Sequence, residues 1–178
     1  LKPGGSRLVD LLKKFREQNL TQKIGISVYD KQEIDAVLRK FIPDIVQIPL
    51  NVLDQRLLHS GSISELKKRG VEIHARSIFL QGVILTDIAD LPKFFSPVLS
   101  SFFAVESVAH DLGISRLDLC LKFGLQTDVD ALILGVTSIN ELKEIQTSFS
   151  RLEDQTPVDL SNLALKDEQY LNPTQWPV

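Results

Sequence analysis

Apolar positions along the chain switch between the spacing of a helix face and the short continuous runs of buried strands. Leu8, Leu11, Leu12 and Phe15 recur every three or four residues, which predicts an amphipathic helix after Ser6. Residues 23–28 form an apolar run that predicts a strand. Asp30 then offers an N-cap with Glu33 three residues on, and Ile34, Val37, Leu38 and Phe41 repeat the helical spacing until Pro43 stops it. Residues 45–49 predict a second strand, residues 62–69 a helix closed by Gly70, and residues 71–79 a third strand. A Pro-containing loop over residues 86–97 leads to a helix with Val105, Val108 and Ala109 that ends at Gly113. Ser115 and Asp118 cap the next helix, which carries Leu119, Cys120 and Phe123. Residues 131–136 predict a fourth strand, and Ser138 with Glu141 predicts a capping box opening the helix of Leu142 and Ile145.

Strands alternating with helices imply an α/β fold of parallel βα units. Four such units, with extra helices, make about half of a TIM-type (βα) barrel, which usually runs to about 250 residues. The expectation is one partial barrel domain over residues 1–178, with strands one to four lying before Leu1 and a C-terminal tail over residues 150–178. The run Leu1, Lys2, Pro3, Gly4, Gly5 agrees with this, since it reads as a loop entered midway, and the chain has no methionine. A small doubly wound sheet is the competing architecture. It usually carries a Gly-rich phosphate turn, and neither a GxGxxG nor a P-loop pattern occurs. Polar residues stand at the C-terminal end of each predicted strand: Ser27, Gln47, Arg76 with Ser77, and Thr137 with Ser138. Strand C-termini face the binding crevice in parallel α/β folds, so these positions suggest a ligand cleft.

Composition narrows the function classes. The chain of 178 residues is 43% hydrophobic and 24% charged, as in a globular domain with a real core. Its net charge of -3, with Lys and Arg scattered among acids, offers no basic field for nucleic acid. No apolar run approaches the roughly 20 residues that span a bilayer. The single cysteine, Cys120, has no internal partner and fits a reducing, cytoplasmic setting; its place on an apolar stripe makes it a core residue. No metal-ligating cluster is expected. His74, inside a strand, reads as structural, and His59 and His110 lie near helix ends.

In order along the chain, Gly25-Ile26-Ser27-Val28-Tyr29, the IVQIPLN run around Gln47, residues 75–82 (ARSIFLQG) and residues 134–138 (LGVTS) resemble the C-terminal half of the aldo-keto reductase barrel. The resemblance covers nearly the whole chain. It implies an oxidoreductase that reduces aldehyde or ketone substrates with NADPH or NADH, in which this chain forms much of the cofactor cleft. Ser27 and Gln47 match positions that hydrogen-bond the nicotinamide carboxamide, a group with both a donor and an acceptor. Val28 stands where many members have asparagine. Arg76 matches a position where many members place an aromatic ring against the nicotinamide, and it can stack or pair with a charge. Ser77, Phe79, Gln81 and Gly82 match the loop passing the pyrophosphate, and Thr137, Ser138 and Glu141 the region holding the adenosine end. NADPH-preferring members place Lys or Arg there, whereas Glu141 should repel a 2′-phosphate. This favours NADH or use of both cofactors, with Lys143 able to compensate. The family's catalytic Asp, Tyr, Lys and His come from its first four strands, so no catalytic residue is assigned here.

Two readings follow. In one, the chain belongs to a cytoplasmic reductase acting on a small carbonyl compound. In the other, it is a nonenzymatic half-barrel binding or interaction module. If the polypeptide begins at Leu1, open strand edges predict self-association into a homo-oligomer. Trp176 reads as an anchor for the terminus.

Overall fold

The computed structural model describes residues 5–152 and 156–177. The predicted opening loop, Leu1 to Gly4, lies outside the described residues, as does part of the predicted tail.

Four parallel strands form one sheet in chain order. They are β1 (Gly25–Ser27), β2 (Ile45–Pro49), β3 (Glu72–Arg76) and β4 (Ala131–Leu132). Helices fill the connections: α1 (Gly5–Glu17), α2 (Lys31–Leu38), α3 (Arg56–His59), α4 (Ser62–Lys68), α5 (Leu99–Asp111), α6 (Arg116–Leu125) and α7 (Ile139–Leu152). The registers place Ser27 beside Gln47, Gln47 beside His74, and Pro49 beside Arg76. This is half of an α/β barrel, as the βα alternation implied.

Alternation along each strand separates two faces. Val46, Ile48, Ile73 and Ala75 are buried on the outer face, within a core shared with Ile63, Leu66, Leu119 and Phe123. Each large aliphatic buried there contributes about 1.5–3 kcal/mol. The inner face is polar and half open, carrying Ser27, Gln47, Glu72, His74 and Arg76. A Cβ at Gly25 would lie 3.0 Å from the Ile45 carbonyl oxygen, so β1 and β2 approach closely only because position 25 is glycine. His74 takes the structural role expected, its Nε2 lying 2.8 Å from a Glu72 oxygen while Glu72 also pairs with Lys23.

Caps set the helix starts. The Asp30 carboxylate accepts the Glu33 N–H at 2.8 Å, opening α2. Ser115 and Asp118 complete a reciprocal capping box on α6. Asp118 is buried and also accepts hydrogen bonds from Arg151 of α7, at 3.1 Å. Cys120 is fully buried in α6, and desolvation pushes its thiol up to about 12, which confirms a core role.

Several expected boundaries shift. The third strand ends at Arg76 because Ser77 turns into the left-handed region, φ 62°. The fourth strand covers two residues and not six. Its last ladder bond is Ile133 N–H to the Ala75 carbonyl at 2.7 Å, beyond which β3 has turned away. The loop over residues 86–97 contains two short 3-10 turns, Ile88–Asp90 and the start of Lys93–Val98. The tail is pinned, since Trp176 packs edge-on against Phe95 with ring centroids 5.1 Å apart.

The stripe on α1 is not buried as an amphipathic helix would have it. Val9 is buried, but Leu8 and Leu11 are 54% and 45% exposed. Towards the other end of the chain, Ile139 and Leu142 of α7 are 71% and 43% exposed. Apolar side chains on both the first and the last of these helices thus stay exposed.

Candidate functional site

Arg76 organises the C-terminal rim of the sheet. Its Nε donates to Ser27 Oγ at 3.3 Å, its NH2 to the Val28 carbonyl at 3.2 Å, and its NH1 to Ser77 Oγ at 3.3 Å. The guanidinium carbon lies 4.4 Å from the centroid of the Tyr29 ring. The Arg76 guanidinium thus stacks on a ring of this chain, and its hydrogen-bond acceptors are the neutral oxygens of Ser27, Val28 and Ser77. The guanidinium spans from β3 to the end of β1 and fixes Ser27. Gln47 lies between those strands in a shallow hollow of about 250 Å³ with Ser27 and His74.

The next residues form a compressed turn. Ser77, Leu80 and Gln81 have φ of 62°, 47° and 57°, and Gly82 has φ of 86°. Three left-handed non-glycine residues cost about 1 kcal/mol or more each, and persist only where the surroundings hold them. Here the Leu80 N–H bonds to the Ser77 carbonyl at 2.9 Å, the Gly82 N–H to Phe79 at 2.9 Å, and the Val83 N–H to Leu80 at 3.1 Å. The N–H groups of Ser77, Phe79 and Gln81 find no acceptor among the described residues. They are donors available to an anion.

This turn forms one wall of a cavity of about 890 Å³, whose other wall is residues 133–137, Glu141, Glu144 and Ile145. The size and mixed lining suit a ligand larger than a simple aldehyde. Arg76, Ser77, Phe79, Gln81, Gly82, Thr137 and Glu141 all border it. Ser27 and Gln47 lie in the adjoining hollow, and Ser138 faces α7 as its cap.

The expected capping box at α7 is only half formed. Ser138 Oγ accepts the Glu141 N–H at 3.2 Å, but the Glu141 carboxylate reaches past Ser138 to Thr137, taking its N–H and its hydroxyl at 2.7 Å each. Those bonds, the backbone one foremost, hold the Glu141 carboxyl below its usual range. A fixed negative charge thus sits at the cavity mouth, with Glu144 beside it.

Three contributors escaped the reading of the sequence. Tyr29, inside a quoted motif, supports Arg76. Arg116 borders the cavity and holds its rim through the Thr86 carbonyl at 2.8 Å and Asp87 at 3.2 Å. Asn51 is fully buried and donates to the Ser77 carbonyl at 3.0 Å. A polar Asn-x-x-Asp-Gln cluster directly after a buried strand was the available signal for Asn51.

The model of the Aldo/keto reductase family matches residues 6–159. Among solved structures, an aldo-keto reductase from Bacillus halodurans, in its holo form, is similar at a TM-score of 0.70 with 18% identity, covering 90% of this chain and 57% of that one. A thermostable aldo-keto reductase solved with the inhibitor epalrestat gives 0.64 with 16% identity, covering 89% and 54%. The aldose reductase from Schistosoma japonicum gives 0.59 with 16% identity, covering 92% and 48%. The chain thus spans about half the length of the solved structures it matches, and no curated protein matches it. On the family match over most of its length, in a half barrel of parallel βα units, the chain belongs to the aldo/keto reductase family.

Proposed function

We propose that the complete protein is an NAD(P)H-dependent oxidoreductase of aldo-keto reductase type, acting on an aldehyde or ketone, and that this chain supplies its cofactor cleft with NADH preferred. The observation that supports this most is the cavity of about 890 Å³ walled by a turn with unpaired N–H groups on one side and Thr137 and Glu141 on the other. A dinucleotide fits that arrangement. The free N–H groups and the φ of 86° at Gly82, where no Cβ obstructs approach, suit the pyrophosphate. The Glu141 carboxylate suits ribose hydroxyls better than a phosphate, since hydroxyls can donate to it. Ser27 and Gln47, beyond Arg76, suit the carboxamide. Reduced nicotinamide, when bound, supplies the hydride to the carbonyl carbon; the residues of this chain bind and orient it. No helix among the described residues is long and apolar enough to cross a membrane. A cytoplasmic reductase is our reading.

The test is titration of the complete protein with NADH and NADPH, followed by both cofactors with a panel of aldehydes. Saturable NADH binding with carbonyl-dependent oxidation is expected. Absence of binding to either cofactor would overturn the reading and leave the nonenzymatic module.

The two edge strands and the exposed apolar residues of α1 and α7 favour one more statement. Expressed alone, residues 1–178 should associate, because β1 and β4 are edge strands and Leu8 and Leu11 of α1 and Ile139 and Leu142 of α7 are exposed. Light scattering should show a dimer or larger species. A compact monomer would contradict it.

A further inference from the structure

The turn that walls the cavity is strained, and something outside it must hold it. Four backbone groups of the loop after β2 converge on the answer. Asn51 Oδ1 accepts the N–H groups of Leu53 at 3.0 Å and Asp54 at 2.8 Å, and the Asn51 N–H donates to the Asp54 carbonyl at 3.2 Å. The side chain is therefore locked in one orientation, with no exposure to water. Its amide nitrogen points out of that loop and donates to the Ser77 carbonyl at 3.0 Å. One residue before the contact, the Leu50 N–H bonds to the Arg76 carbonyl at 3.0 Å, continuing the ladder up to the point where the chain turns.

We propose that Asn51 is a positioning residue that holds the turn of residues 77–82 in its left-handed, ligand-facing form. This rests on the dinucleotide reading for what the turn receives, but the positioning itself does not. Ser77 is the first residue of the turn and sits at φ 62°, and its carbonyl also accepts the Leu80 N–H that starts the internal bonds. Fixing that carbonyl fixes the peptide plane from which the others follow. Asparagine suits the position because a single planar group must accept twice on one side and donate on the other. Aspartate accepts equally well but cannot donate while ionised. Serine can accept from the loop N–H groups, but it is too short to reach Ser77.

The test compares Asn51→Asp with the parent protein, first without ligand. Amide hydrogen exchange at Leu80, Gly82 and Val83 should quicken by about tenfold at neutral pH, as expected for loss of one buried hydrogen bond, while α6 exchanges as before. NADH affinity should fall by about the same factor. On acidification the introduced carboxyl takes a proton, can donate to the Ser77 carbonyl, and both effects should shrink. Asn51→Ser should show the same exchange and binding losses without the recovery, and serves if the aspartate variant does not fold. Unchanged exchange in the turn, or quickening shared equally by α6, overturns the positioning role. Faster exchange in the turn of a protein that binds no NADH keeps that role and removes the dinucleotide reading.

Discussion

Replacing Glu141 with lysine should shift the ratio of NADPH to NADH affinity by roughly 30- to 150-fold towards NADPH. The carboxylate is held at the cavity mouth by two hydrogen bonds from Thr137, so its charge has a defined place. Taking a separation of about 8 Å as an order-of-magnitude figure, at an effective dielectric of 20 to 40, each unit of charge is worth about 1–2 kcal/mol against a phosphate. Glu141→Lys changes the charge by two units, or about 2–3 kcal/mol after screening, which converts to the stated ratio. Glu141→Gln removes one unit and should move the ratio by roughly the square root of that factor. Fluorescence titration with both cofactors, at low salt and at high salt, separates charge from geometry, because only the charge effect fades with salt. A ratio that stays put in both variants would remove Glu141 from the adenosine end of the site.

Asp118→Ala should cost about 2–4 kcal/mol of stability. The side chain closes the α6 capping box with Ser115, and it also meets Arg151 of α7 while itself buried. Loss of the cap accounts for about 1 kcal/mol. The fully buried Ser148 hydroxyl, left without its carboxylate partner, accounts for the rest. Burial pushes the Asp118 carboxyl up, but hydrogen bonds from Ser148 and Ser115 and the charge of Arg151 outweigh it, and the net shift is below the ordinary value of 3.8. A carboxyl lowered on folding stabilises fully above its unfolded value. That contribution is lost as the pH falls from about 3.8 towards the lower folded value. Asp118→Asn should therefore flatten the acid limb of the stability curve, read by urea unfolding between pH 5 and 2.5. An unaltered acid limb would show that the carboxylate carries no pH-dependent stability.

Much of the architecture was legible because burial on one face imposes its period. β2 appears with the bounds its apolar run gave, and the Ser115 and Asp118 box formed as spaced. Departures arise where tertiary bonds compete with local pattern. The apolar residues 78–80 look like strand, yet the Asn51 amide draws the Ser77 carbonyl out of the ladder and the chain turns. Glu141 had the spacing of a box with Ser138, but Thr137 offers two donors to one carboxylate and wins. The polar strand ends pointed to the cavity rim. Nothing local, however, could reveal that Arg76 would bridge two neighbouring strand ends and lie over Tyr29, since that contact depends on register.

The sheet joins β1 to β2, β2 to β3 and β3 to β4, so every ladder unites consecutive strands. Each ladder must still close the helical connection between its strands, longest between β3 and β4, and parallel pairings of that kind form slowly. The apolar residues of α1 and α7 have no part in those ladders and are exposed in this half of the barrel. In this half expressed alone they would be the surfaces that a chaperone meets on a slowly maturing chain.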